Sequence, residues 1–100
     1  MNSMTGALRA VARVRAVPGS EETVRDALIA MVAPTREEEG CLDYRLHVVD
    51  SDPGLFCFVA LWRSEADLDA HLDEPHIADG LAAIADHTES VVVSRMTRIA

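Results

Sequence analysis

The fifteen residues Trp62 to His76, WRSEADLDAHLDEPH, hold the only tryptophan and two of the four histidines of the chain. They also carry a clear grammar. A strand ends at Trp62, a helix starts at Ser64, Pro75 breaks it, and a second helix follows. Ser64 with Asp67 three residues on is a capping-box start with Asp in place of Glu. Pro75 fits the first turn of a new helix, where a missing N–H costs nothing. Leu68, His71 and Leu72 then share one helical face. That face turns toward apolar surroundings, which draws His71 inward beside the strand that delivers Trp62. Two imidazoles and an indole converging on one region are the visible chemistry of the sequence.

Working outward, Leu55 to Arg63 precedes this stretch and pairs with Leu42 to Val49 around the turn residues Asp50-Ser51-Asp52-Pro53-Gly54. With Val49 facing Leu55, Leu46 meets Phe58, Tyr44 meets Ala60 and Leu42 meets Trp62. This register gathers Leu42, Tyr44, Leu46, Phe56, Phe58 and Trp62 on one face. It sends Asp43, Arg45, His47, Leu55, Cys57, Val59 and Leu61 to the other, and a one-residue slip would scramble both sets. Cys57 falls opposite His47 and Cys41 near Arg63, so the two cysteines do not meet and read as small buried thiols.

The first strand, Leu8 to Val17, alternates Leu8, Ala10, Ala12, Val14 and Ala16 against Arg9, Val11, Arg13, Arg15 and Val17. Its alanines leave room above them. Pro18-Gly19 ends it, and Ser20 caps a helix with an acidic first turn, Glu21 and Glu22. Val24, Ala27, Leu28, Met31 and Thr35 form the buried stripe. Pro34 is expected to kink or break this helix, Glu37-Glu38-Glu39 to form a solvated face without a metal, and Gly40 to close the segment as a left-handed cap. Ile77, Leu81 and Ile84 continue a helix to about His87, and Val91 to Ile99 is the last strand. Strand, helix, strand, strand, helix pair, strand is an α+β, ferredoxin-like split βαβ plan: one antiparallel sheet with helices on one face. The strand from Leu55 is apolar on both sides, and the chain has no second helical layer. A second copy, sheet against sheet, is the economical cover.

One hundred residues make a single domain, expected over 7–100 after a short N-terminal tail at 1–6. The hydrophobic share of 49% is too high for a disordered chain. Net charge is −8 and all nine cations are arginines, an acidic balance that argues against nucleic acid or an anionic membrane as partner. No apolar run approaches the ~20 residues of a membrane span. The first residues lack the basic and apolar regions of a secretion signal, and a cytoplasmic location is expected.

Several fragments recur together in order: Pro18-Gly19 with the acidic helix start, Thr35-Arg36-Glu37-Glu38-Glu39-Gly40-Cys41-Leu42-Asp43-Tyr44, the Asp52-Pro53-Gly54 turn, and Trp-x-Ser…Leu-x-x-His…Pro-His. From about Ala7 to Ile99 the chain resembles the antibiotic biosynthesis monooxygenase (ABM) family, which includes quinol monooxygenase-like proteins. The resemblance implies a dimeric α+β barrel joined through the sheets. It also implies oxidation of a small phenolic or quinol-type aromatic substrate by O2 with no cofactor, neither flavin, haem nor metal.

Such chemistry needs a base, an apolar hollow and donors for charge on the ring oxygens. His71 is then the expected base, with His76 as helper or gate near the helix break. Trp62, Phe56 and Phe58 form the expected aromatic wall, Ala10, Ala12 and Ala60 leave volume for a planar ligand, and Tyr44 is a candidate donor. The chain also departs from its resemblance. Ala60 stands where many relatives carry Glu, and Phe58 where polyketide-oxidising members use Asn. Their Tyr and Arg fall at Leu68 and near Ala82. The Asn and Trp of haem-degrading cousins fall at Ala12 and His71, which disfavours that branch. His47 is expected on the dimer face and His87 at the surface. A metal site is not expected, because His71 and His76 are five apart with a proline between. Two alternatives remain on the same scaffold: isomerisation of a small hydroxy-carbonyl compound, with His71 as proton shuttle, and a non-catalytic small-molecule-binding dimer.

Overall fold

In a computed structural model, residues 7–100 are described; the tail expected at 1–6 lies outside them. Strands β1 (Leu8–Ala16), β2 (Cys41–Val49), β3 (Asp52–Trp62) and β4 (Thr88–Met96) form one sheet in the order β2-β3-β1-β4. Every pairing is antiparallel. Helices α1 (Glu21–Arg36), α2 (Glu65–Leu72) and α3 (Pro75–Ala83), with a short 3-10 turn at Ala85–His87, complete the split βαβ plan. The fold is ferredoxin-like α+β.

The β2–β3 hairpin keeps the expected register in its middle: Tyr44 opposes Ala60, Leu46 opposes Phe58 and His47 opposes Cys57. It slips at both ends. Val49 pairs with Asp52, so β3 begins inside the expected turn, and an irregularity between Cys41 and Asp43 puts Cys41 rather than Leu42 opposite Trp62. The bulge turns Leu42 outward, where it is exposed. Along β3 every second residue, from Gly54 through Phe56, Phe58 and Ala60 to Trp62, is buried under the helices. Leu55, Cys57, Val59 and Leu61 between them are half-buried on the face that none of the described helices covers. The last strand begins three residues earlier than expected, and its Val91, Val92, Val93 and Met96 stand exposed.

Three local expectations are corrected. Pro34 lies inside α1 without breaking it. Buried Met31 and Thr35 hold the segment helical, and the last turn tightens through Glu37 N–H to Pro34 C=O and Glu38 N–H to Thr35 C=O. Ser20 occupies the N-cap position of α1, but its hydroxyl makes no cap bond and instead lies 3.0 Å from Nδ1 of His87. Gly40 is not left-handed; Gly19, with φ 92°, is the described residue with positive φ. Gly40 is required because a Cβ there would collide with the Asp67 side chain.

Asp67 ties the start of α2 together. Its N–H donates to Ser64 Oγ, Ser64 Oγ–H donates to its carboxylate at 2.7 Å, and Arg63 clamps both oxygens at 2.9 and 3.0 Å. The Arg63 hydrogen bonds, then that of Ser64, hold this carboxyl below the usual carboxylate range. A depressed folded-state value contributes stability above the unfolded value and loses it as pH falls through the folded one. Thermal melts are therefore expected to show stability lost progressively below about pH 4. Asp67→Asn should flatten part of that acid slope, while a slope unchanged in the variant contradicts the role given to the clamp.

The core lies between the sheet and the helices. Val24, Leu28, Met31 and Thr35 of α1, Leu68 and His71 of α2, and Ile77 of α3 are buried with the inward residues of β1 and β3. The helices pack on β2 and β3; on β4, Arg95 reaches Glu65 and Asp69 of α2, while Val93, which pairs with Ala12, stands exposed at the rim of the core.

Candidate active site

At that rim lies a hollow of about 30 Å3, lined by Ala10, Ala12 and Ala60 on the sheet, Tyr44, Phe58 and Trp62 around them, Leu68, His71 and Leu72 of α2, and Val93. The three alanines, the smallest of the lining side chains, form its floor. Trp62, 1% exposed, closes one side with its ring 4.5 Å from the His71 imidazole. Tyr44 stacks on Phe58 at 4.9 Å and meets His71 edge-on at 5.5 Å. The hollow holds a water or a diatomic molecule rather than an aromatic ring. Toward β4 it meets Val93, which is exposed.

Of the expected site residues, His71, Trp62, Tyr44, Phe58 and Ala12 come together here. Phe56 does not: it is buried in the core one pleat further along β3 and does not line the hollow. His76 also does not line it. The helix break at Asp73–Glu74 carries His76 behind His71, with ring centroids 6.3 Å apart. Tyr44 contributes its ring face. Burial pushes its phenol far above the ordinary value, outweighing a hydrogen bond with Thr35 that pulls the other way, so the hydroxyl stays protonated.

The residue missing from the expected set is Glu38. Its Oε2 lies 2.8 Å from Nδ1 of His71 and 3.0 Å from Nε2 of His76, and its side chain is only 13% exposed. Thr35, fully buried, places Oγ1 3.2 Å from the same His76 nitrogen. Glu37 and Glu39 are solvated, as their charge implies; Glu38 is not. The signal was the stripe spacing: Glu38 follows Met31 and Thr35 by seven and three residues, the helical face that runs into the core.

A carboxylate only accepts hydrogen bonds, so the nitrogens aimed at Oε2 carry the protons. For a neutral His71 ring this places hydrogen on Nδ1 and leaves Nε2 bare, a carboxylate-fixed tautomer of the kind that makes imidazole a base. Among the described residues Nε2 of His71 has no hydrogen-bond partner, and no buried polar side-chain atom there lacks one. Nε2 is thus the ring nitrogen left free, on a side chain that lines the hollow.

The fold and the site together define a ferredoxin-like domain with an aromatic-walled hollow and an imidazole poised beside it. The chain belongs to the antibiotic biosynthesis monooxygenase family, which it matches over residues 7–83. A Mycobacterium tuberculosis protein named "Putative monooxygenase Rv0793" is 32% identical over 83 residues, 83% of this chain and 81% of that protein. PA3566 from Pseudomonas aeruginosa superimposes with a TM-score of 0.90 at 32% identity, covering 99% of this chain and 100% of that one. A crystal structure of an antibiotic biosynthesis monooxygenase matches at TM-score 0.86 and 30% identity, over 93% and 99% of the two chains. Among the described residues no helix is long and apolar enough to cross a membrane.

Proposed function

We propose that this protein is a cofactor-independent monooxygenase that oxidises a small phenolic or quinol-type aromatic with O2. The observation that carries the reading is the His71 ring, held at Nδ1 by Glu38 with Nε2 beside a hollow walled by Trp62, Tyr44 and Phe58. Nε2 takes the phenolic proton, which makes the ring anion electron-rich enough to pass one electron to O2. The radical pair, kept from water by the apolar walls, combines into a carbon-bound peroxide that recovers the proton from His71. Loss of water, formed from the peroxide hydroxyl and the ring hydrogen, leaves the quinone. Atoms and electrons balance with O2 as the only oxidant. An oxygen electrode with a panel of phenols and quinols tests the reading. Substrate-dependent O2 uptake supports it; turnover of a hydroxy-carbonyl compound without O2 uptake favours an isomerase, and tight binding without turnover a non-catalytic binder.

A planar ligand enters only if the hollow opens past Val93 over the alanine floor, and it requires Ala12 to stay small. Ala12→Leu, at a half-buried position, is expected to weaken ligand binding by a factor of about ten or more while the melting temperature holds. Unchanged binding in a titration of that variant places the ligand elsewhere.

The working unit in this reading is a homodimer. Leu55, Cys57, Val59 and Leu61 with Val11 make an apolar band that none of the described helices covers, flanked by Arg9 and Arg45, with Arg13 between Cys57 and Val92. Val59→Asp puts an unpaired charge in the middle of that band, and light scattering should show the dimer mass halved. A monomeric wild type contradicts the proposal. A reducing, cytoplasmic setting accords with two free cysteines that oppose other residues in the sheet.

A further inference from the structure

Glu38, His71 and His76 each bring one possible ligand atom to the same place, and the three atoms lie within 4.8 Å of one another. We propose that these side chains bind a divalent transition-metal ion, and that its binding switches the His71 base off. The second half rests on the reading of His71 as base; the first does not.

Two imidazole nitrogens and one carboxylate oxygen are the donor set of Zn2+, Co2+, Mn2+ or Fe2+, rather than of Ca2+ or Mg2+, which prefer oxygen. Ligands held about 2.0–2.1 Å from such an ion sit roughly 3.0–3.4 Å apart. Glu38 Oε2 is already 2.8 and 3.0 Å from the two nitrogens, so those two edges open by a few tenths of an ångström, while the nitrogens, in a group spanning up to 4.8 Å, close by roughly an ångström or more. The two nitrogens, which no bond links to each other, draw together around it. His76 can supply that movement, because it stands in the first turn of α3 just past the helix break. Thr35 Oγ1, 3.2 Å from the His76 nitrogen, is the next oxygen at hand. The approach is from solvent through His76, whose side chain is 24% exposed, and not through the hollow.

The switch follows from the tautomers. An ion at Nδ1 of His71 takes the lone pair there, so the ring proton moves to Nε2; His76 likewise shifts its proton from Nε2 to Nδ1. Each neutral ring keeps one proton and none is released. Nε2 of His71 then donates where it had accepted, and it cannot take a proton from a substrate.

The test uses tag-free, chelator-treated protein with metal alone: Zn2+ by calorimetry, Co2+ by its visible d–d absorption. The expected result is one ion per chain. Glu38→Gln and His76→Ala should each weaken uptake by about tenfold or more, with His76→Asn guarding against a folding defect and His87→Ala unchanged. No stoichiometric uptake, or uptake equal in all the variants, overturns the site. The switch is read without substrate. In 15N-histidine spectra Zn2+ should turn Nε2 of His71 from a bare to a protonated nitrogen, and an unmoved signal in protein that has taken up the ion overturns the switch. Neither result depends on whether O2 uptake is found.

Discussion

His71→Asn is expected to lower turnover by about 10²–10⁴-fold, the usual worth of a positioned base, while the protein stays folded. The choice of asparagine matters. Its amide nitrogen can stand in for Nδ1 and keep the hydrogen bond to Glu38 Oε2, 2.8 Å away in the native protein, so that carboxylate is not left with one partner fewer. What asparagine lacks is any counterpart of Nε2. A loss in kcat with KM held points to the proton transfer itself. Rates of substrate-dependent O2 uptake within a factor of about two of wild type would leave the base elsewhere.

Trp62→Ala carries the largest expected effect on stability, about 3–5 kcal/mol by chemical denaturation. The indole is 1% exposed at the end of β3, against His71 at 4.5 Å and Tyr44 at 6.3 Å. It is therefore both a wall of the hollow and one of the largest side chains that the core buries completely. For a domain of this size such a loss is a large part of the whole stability, so the variant should be partly unfolded well below the wild-type melting temperature. A cost under about 1 kcal/mol would mean that the neighbouring side chains collapse into the space and that the hollow is not rigidly framed.

The middle of the hairpin was legible because the aromatic and aliphatic residues of β2 and β3 line up on one face only when Tyr44 meets Ala60. Its ends were not. A two-residue connection pairs Val49 with Asp52, and the bulge after Cys41 turns Leu42 out; neither leaves a mark in an alternating pattern. Pro34 misled because its local cost is outweighed by the packing of Met31 and Thr35, which a propensity cannot register. Gly40 was recognised as special for the wrong reason: it yields room to Asp67, a residue distant in sequence, rather than adopting a left-handed turn.

The site divides in the same way. Trp62 and His71 were visible because each is set by one strand or one helical face. Glu38 was hidden inside a run of three acids that reads as solvent-facing, although its place on the Met31–Thr35 stripe pointed inward. The five-residue spacing of His71 and His76 argued against a shared metal, but that argument holds for one continuous helix. Pro75 starts a new one, and the change of axis brings His76 onto the same carboxylate oxygen. Partners that meet through a chain reversal leave no periodic trace, and a half-buried carboxylate between two imidazoles is such a meeting.

The account turns on which nitrogen of His71 holds the proton in the neutral ring, and 15N-histidine resonance spectra of metal-free protein read that directly. Nδ1 should give the signal of a protonated nitrogen and Nε2 that of a bare one, with the preference weakened in Glu38→Gln. A proton found on Nε2 in the wild type would contradict it, since the ring would then face the hollow as a donor and have nothing with which to take a proton from a substrate.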